Sequence, residues 1–290
     1  MFSVIIATYN RSLLLKRCLN SLVDQTFKDF EVVLCDDGST EDILSVCNKY
    51  KNKLLINYIR IENSGAPAKP RNTAVSLAKY DWLAFLDSDD WWHSFKLEQV
   101  YNIIKNDNYD VIYHKLQEIN KDGNKLRIFG NSIKKPQFRN MLIYGNQIPL
   151  SGLTLRKRLF FKINGFNEDF KSNEDFELLL RISMETNSFY FLNDVYGYYW
   201  VGDNIISKPS EKLVDSISKI YKIHCEKLDS NDQKGALSYL NYTLGVYYLH
   251  INNIKKAYYY FEKSKNIFHL SLRVKRLIRM VVIRFKLIRN

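Results

Sequence analysis

Four short apolar runs, separated by helical patterns, fill the first ninety residues, and this alternation restricts the fold more than any other feature of the chain. Ser3–Thr8, Glu31–Cys35, Leu55–Ile61 and Trp82–Leu86 are rich in β-branched and aromatic residues and predict strands. Between the first two, Leu15, Cys18, Leu19 and Leu22 recur at helical spacing, with Ser12 placed to cap the helix. Strand, helix and strand in succession demand a parallel sheet covered by helices on both faces. Ligands of such sheets bind beyond the carboxyl ends of the strands, so the polar residues after each strand are the ones to read for function.

The remainder is less regular. Ser94–Ile104 predicts a helix with Leu97, Val100, Tyr101 and Ile104 on one face, residues 109–206 mix short strand-like runs with Gly and Pro breaks, and Glu174–Glu185 predicts a clear helix. After Lys208 the pattern is mostly helical, and Leu244, Gly245, Tyr248, Ala257, Phe261 and Ser264 stand at the spacing of one tetratricopeptide-type hairpin. Of the net charge of +12, seven cations fall in residues 266–290, which hold no acid, leaving +5 elsewhere. A nucleic-acid binder spreads basic residues over its main folded surface, so nucleic acid is not an expected partner. No run approaches eighteen uncharged apolar residues and no basic leader precedes the first strand. Cys18, Cys35, Cys47 and Cys225 lack C-x-x-C spacing, so the expectation is a cytoplasmic protein with reduced thiols.

Polar residues gather where strands end. Thr8-Tyr9-Asn10-Arg11 follow the first, Asp36-Asp37-Gly38-Ser39-Thr40 the second and Asp87-Ser88-Asp89-Asp90 the fourth. Asp-Gly-Ser is also ordinary turn chemistry. Three carboxylates within four residues repel one another unless a cation or hydrogen-bond donors compensate. They suit a hard divalent ion whose remaining shell is diphosphate oxygen, and a solvated turn is the alternative. Neither G-x-G-x-x-G after the first strand nor a P-loop pattern occurs, so a dinucleotide cofactor is unsupported. Arg71 precedes a short helix with Ala74, Leu77 and Ala78 toward the sheet; its guanidinium either reaches a phosphate, pairs with the Asp-rich turn or stays on the surface. Asp175 lies in the first turn of the helix whose Phe176, Leu179 and Leu180 point inward, and there a carboxylate serves as an electrostatic cap or as a rigidly held base.

As a set, Ser3–Arg11, Asp36–Thr40, Arg71-Asn72, Asp87–Asp90, Gly165-Phe166-Asn167-Glu168 and Glu174-Asp175 resemble, in order, the motifs of the family 2 glycosyltransferases of GT-A fold, over about residues 3–207. The resemblance implies an α/β fold with a Rossmann-like, mostly parallel sheet flanked by helices. It implies a metal-dependent enzyme using Mn²⁺ or Mg²⁺, which moves one hexose or N-acetylhexosamine from a nucleotide sugar, expected to be UDP-linked, to a glycan acceptor with inversion. By the same resemblance Ala7, Thr8, Tyr9, Arg11, Asp37, Arg71, Asp87 and Ser88 bind the nucleotide, with Asp37 on a uracil-type base and Asp87 toward the ribose. Asp89 is implied as the metal ligand and Asp175 as the general base; Asp36, Glu174 and Asp203 are further candidates, Asp203 as a substitute third ligand. Many relatives carry an Arg and a His before a final Ser in the segment that closes over the diphosphate, whereas this chain has Trp200 and Gly202 before Ser207. The Q-x-x-R-W pattern of processive synthases is missing, which favours one sugar per encounter.

The implied organisation is a catalytic domain at 1–207, with a nucleotide-sugar half to about 108 and an acceptor half at 109–207, then a helical extension at 208–265 and a basic amphipathic helix at 266–290. The expected role is bacterial O-antigen, capsule or other surface-polysaccharide synthesis. The competing readings are a degenerate fold of the same kind acting as a binding scaffold, which would lose Asp89 or Asp175, and a nucleotidyltransferase, which would want a glycine-rich phosphate loop. Within the tail, Val274, Leu277, Ile278, Val281, Phe285 and Ile288 share one sector of the helix that no cation enters, while Met280, Val282, Ile283 and Leu287 fall outside it. Such a helix either packs its stripe on the preceding hairpin or lies in an anionic membrane surface on the inner face of the cell membrane, near a lipid-linked acceptor. Homo-oligomerisation is a further expectation.

Overall fold

The structure is a computed structural model, and it describes residues 1–106, 108–135, 137–202 and 210–289. Asp203 and Ser207, and the side chains of Phe285 and Ile288, lie outside the described residues. The chain divides into two compact units, Met1–Ser132 with Gln147–Ile205, and Ile133–Asn146 with Ile206–Asn290.

In the first unit β1 (Phe2–Thr8), α1 (Ser12–Val23), β2 (Phe30–Asp36), α2 (Ile43–Asn48), β3 (Ile56–Arg60), α3 (Ala68–Ser76) and β4 (Trp82–Phe85) follow one another as the alternation requires. After them come β5 (Trp91–Trp92), α4 (Lys96–Asn106), β6 (Val111–Asn120) and β7 (Lys125–Phe129). The chain then leaves the unit through α5 (Gln137–Tyr144) and returns with β8 (Leu153–Arg156), α6 (Lys157–Lys162), α7 (Glu174–Glu185) and β9 (Phe189–Val201).

Among the described residues the strands form one sheet in the order β3-β2-β1-β4-β8-β6-β9-β5, with β7 on β6. The expected α/β, Rossmann-like architecture is the observed one. Strands β1 to β4 are parallel, while β8 runs antiparallel to both β4 and β6, so the second half of the sheet is mixed. Parallel strands covered on both faces bury both sets of side chains, and β1, β2 and β4 do so almost completely. Val4, Ile6, Val32, Leu34 and Ala84 face a cluster shared with Leu15, Cys18 and Leu19 of α1, Val46 of α2 and Leu97 and Val100 of α4. The alternate residue Phe85 faces the other way, where Phe160 and Phe166 lie beside its ring.

Two local expectations need correction. Ser12 is the first helical residue of α1 and caps nothing; Arg11 stands at the cap position, and the Ser12 N–H donates to Glu41 Oε2 at 2.7 Å. On α3 Ala68, Pro70, Arg71, Ala74 and Val75 are buried, as is Ala78 just beyond, while Leu77, at the end of the helix, is exposed.

The second unit gathers α5 with α8 (Glu211–His224), α9 (Ser230–His250), α10 (Ile254–Lys263) and α11 (Leu270–Arg289). Helices α9 and α10 form the hairpin read from the sequence. Ala257, Phe261 and Ser264 are fully buried, and Gly245 matters because a Cβ there would stand 2.9 Å from the Phe261 ring. Helix α5 is held by Arg139, which donates to both carboxylate oxygens of Asp232, and by the Tyr221 hydroxyl, which donates to the Leu142 carbonyl.

Candidate active site

After β3 the chain passes through α3 to β4 on the opposite side of β1 from β2, so the sheet changes direction beside β1. The carboxyl ends of β1, β2 and β4 open at that point. Asn10, with φ +50, joins the first two loops: its N–H donates to Ser39 Oγ, and its Oδ1 accepts from the Thr40 N–H at 2.8 Å. Ala7 is half-buried and Tyr9 exposed. Thr8 is buried, and its hydroxyl has no hydrogen-bond partner among the described residues.

The two aspartates after β2 differ. Asp36 is fully buried and consumed by the turn, accepting from the Ser39 N–H and the Tyr58 hydroxyl. Asp37 accepts from the Ser64 N–H through Oδ1, beside an open hollow lined by Gly38, Arg60, Ile61, Glu62 and Asn63. Gly38 has φ +75, and a Cβ there would stand 2.7 Å from the Asn63 nitrogen, so the loops approach closely only with glycine.

The Asp-rich turn after β4 is compensated carboxylate by carboxylate. Asp87 pairs with Arg71 at 2.6 Å and Asp89 with Arg11 at 2.6 Å. Asp90, buried, accepts from the Ser151 hydroxyl at 2.6 Å and from the Trp200 N–H at 2.9 Å, and Ser151 Oγ also accepts from the Asp87 N–H. Ser88 is buried between them. Burial, reinforced by Asp89 and Asp87, pushes the Asp90 carboxyl well above its ordinary range. Burial also raises Asp89, against the pull of Arg11. Arg17 donates to the Asp89 carbonyl and is sandwiched between the Trp91 and Trp200 rings, at 3.9 and 4.3 Å from their centroids. Trp200 thereby links the end of β9 to this turn.

Arg71 reaches in two directions. One nitrogen pairs with Asp87 and the other with Glu174 at 2.5 Å, so the guanidinium ties the end of β4 to the start of α7. Next to it, Asn72 exchanges hydrogen bonds with the backbone of Phe166 and donates to Glu168, fixing the Gly165–Glu168 turn that leads into α7. These contacts set Asp175, half-buried in the first turn of α7, within electrostatic reach of Arg71 and Asp87. Its carboxyl is pushed up to about 7, first by burial and then by the Glu174 charge, against a hydrogen bond from the Phe176 N–H and the Arg71 charge.

The geometry thus gathers Thr8, Arg11, Arg71, Asp87, Ser88, Asp89, Glu174 and Asp175, joined through Asn10 to the loop bearing Asp37. Asp36 is turned into its own loop. Sequence reasoning missed Arg17 and Ser151. Nothing in the spacing of either gives it away: Ser151 is remote in sequence, and Arg17 comes to the Asp-rich turn only through its contacts with Asp89, Trp91 and Trp200.

Among the described residues no group of three or more His, Cys, Asp or Glu side chains is arranged to hold a metal ion. The donors nevertheless fit a hard cation whose other ligands come from a diphosphate. Asp87 and Asp89 offer at the mouth the carboxylate oxygens that such an ion prefers, paired here with Arg71 and Arg11.

The sequence model for glycosyl transferase family 2 matches residues 3–162. Poly(ribitol-phosphate) beta-N-acetylglucosaminyltransferase TarS of Staphylococcus aureus is 34% identical over 204 residues, covering 68% of this chain and 35% of that protein, so the chain spans about a third of the length of this relative. The crystal structure of S. aureus TarS 1–349 in complex with UDP has the same fold, with a TM-score of 0.66 and 23% identity over 97% of this chain and 88% of that one. The mannosyltransferase PcManGT of Pyrobaculum calidifontis, in complex with GDP-Man and Mn²⁺, has a TM-score of 0.60 and 14% identity over 97% of this chain and 79% of that one.

Proposed function

Because the chain belongs to glycosyl transferase family 2, we propose that it moves a single sugar from a UDP-sugar to a hydroxyl of a glycan acceptor, inverting the anomeric centre. The observation that carries this reading is the bridge from Asp87 through Arg71 to Glu174, which sets a carboxylate of raised pKa beside the Asp-rich turn. Asp175 takes the proton of the attacking acceptor hydroxyl; the new glycosidic bond forms as the bond from the anomeric carbon to the diphosphate oxygen breaks. A base that titrates near the working pH is both largely deprotonated and strong enough to accept that proton.

Asp37 and the hollow beside it suit the base, with the Asn63–Ser64 loop opposite. Ala7, Thr8, Tyr9 and Ser88 line the approach of the nucleotide, the Thr8 hydroxyl having no partner among the described residues, and Asp87 serves the ribose side. Arg11 and Arg71 are the cations within reach of phosphate, and on donor binding Arg11 exchanges Asp89 for a diphosphate oxygen. Asp89, with Asp87 adjacent, would hold the Mn²⁺ or Mg²⁺, which when bound neutralises charge on the departing diphosphate. Glu174 acts through Arg71 and Asp36 through its turn, so neither touches the reacting atoms.

The UDP held by the TarS fold neighbour and the N-acetylglucosaminyl transfer for which TarS is named support a UDP-sugar, an N-acetylhexosamine among the candidates, and a cell-surface polymer as product. We place the acceptor on a lipid carrier at the cytoplasmic membrane face, a reading supported by the cations of residues 266–290. The test is Asp175→Asn. Sugar transfer should fall about 10²- to 10⁴-fold while UDP affinity stays near wild type. A variant that transfers at the wild-type rate would remove the base assignment.

A further inference from the structure

Helix α11 is attached to its own unit through a face that the periodicity of its apolar residues does not single out. Met280 and Ile283 are buried with Tyr242, Ala257 and Phe261 of the α9–α10 hairpin, and Leu272 packs against the same cluster. Arg276 donates to the Phe261 carbonyl and to Ser264 Oγ, and Arg279 donates to the Tyr242 hydroxyl. The aliphatic stripe is left outside: Val274, Leu277, Ile278 and Val281 are 50, 58, 60 and 54% exposed. At the α-helical turn angle, exposed Arg273 and Arg284 flank the stripe on one side and exposed Lys275 on the other. Residues 266–290 hold seven cations and no acid; of these, Arg284 lies 3.8 Å from Glu262 of α10, and Arg276 and Arg279 turn toward the hairpin.

We propose that α11 binds an anionic lipid surface in the plane of the headgroups, with Val274, Leu277, Ile278 and Val281 in the acyl boundary and the flanking cations on lipid phosphates. A continuous aliphatic stripe bordered by cations on both sides matches the two layers of such an interface. A second copy of this chain fits poorly, because two such helices would bring their cation rows together without a partner charge. The inference gives the reading of a lipid-linked acceptor its membrane contact and rests on that reading only for its purpose, since lipid binding is measured without turnover.

The experiment is cosedimentation of the full chain with vesicles of mixed phosphatidylglycerol and phosphatidylcholine, and with phosphatidylcholine alone. Binding should require the anionic lipid and weaken at least about tenfold as salt rises toward 1 M, where the Debye length shrinks to about 3 Å. The triple variant L277Q/I278Q/V281Q should lose about tenfold or more in vesicle binding while melting at the wild-type temperature, because these side chains leave water for nothing within the fold. R273E/K275E keeps the stripe and should lose the preference for anionic lipid. Both variants should hydrolyse a UDP-sugar donor in vesicle-free solution as the wild type does, so a failed catalytic reading shows there and a failed lipid reading on the vesicles. Equal vesicle binding by the wild type and the triple variant would overturn the inference, as would equal binding to both lipid compositions. A self-association of the wild type that the triple variant abolishes would assign the stripe to a second copy instead.

Discussion

Glu174 and Asp175 are sequence neighbours in one helical turn, and a single guanidinium separates their roles. Arg71 pairs directly with Glu174, whereas Asp175 keeps a proton up to about pH 7 because burial and the Glu174 charge outweigh the donors it has. If Asp175 is the base, kcat/KM should rise about tenfold per pH unit below 7 and level off above it, a limb that Asp175→Asn should lack. The same shift has a stability consequence of definite sign. The folded carboxyl holds its proton more tightly than an unfolded aspartate does, so its contribution to stability is present below the unfolded pKa of about 3.9 and declines as pH rises toward about 7. Asp175→Asn should therefore melt above the wild type at pH 8, with the difference shrinking toward pH 4; melting curves at the two pH values check this. Ser151 offers a second test, since its hydroxyl serves both Asp90 and the Asp87 N–H in a buried place. Ser151→Ala should cost about 1–3 kcal/mol of stability and weaken donor binding by displacing Asp87, measurable by denaturation and UDP titration.

At the scale of elements, the Gly165–Glu168 turn decides where α7 begins. Gly165 has φ +62, and a Cβ there would lie 2.7 Å from Asn72 Oδ1, the atom that accepts the Phe166 N–H. Gly165→Ala should therefore strain the turn and loosen that hydrogen bond, lowering stability by about 1–3 kcal/mol and reducing transfer more than UDP binding. Unchanged melting would show that the turn adapts. Helix α7 itself was fully legible: acids in the first turn and the spacing of Phe176, Leu179 and Leu180 delimit Glu174–Glu185, as observed. Strand β2 was nearly so, because its run of buried apolar residues ends at an aspartate. The start of α1 was not, since its first free N–H is taken by Glu41 from the next loop, a partner distant in sequence. The tail was legible as an amphipathic helix, but which face it would bury depended on the shape of the hairpin, and that shape appears only when α9 and α10 are packed. The carboxylate cluster after β4 was legible as a group needing compensation; that Arg11, Arg71 and Ser151 supply it depends on contacts between loops far apart in the chain.

For the whole molecule, the division into units does not follow a single cut in the sequence. The reading of a catalytic segment ending near residue 207 leaves α5 inside it, yet α5 belongs with the later helices and buries Met141, Leu142 and Ile143 in their unit. Periodicity could not reveal this, because a short apolar helix looks the same whichever unit receives it. A chain ended at 207 should express poorly and bind hydrophobic dyes, since Arg139 loses Asp232, the Leu142 carbonyl loses Tyr221 and the apolar helix α5 loses the rest of its unit. Soluble, monomeric protein from that truncation would show that α5 finds another place. The same feature bears on synthesis. At about 5–20 residues per second, on the order of ten seconds pass between the emergence of α5 from the ribosome and that of α9, which carries Asp232. During that interval the nascent chain displays a sticky helix between two segments of a unit trying to fold, so the rate of translation through the region after β9 becomes a determinant of yield.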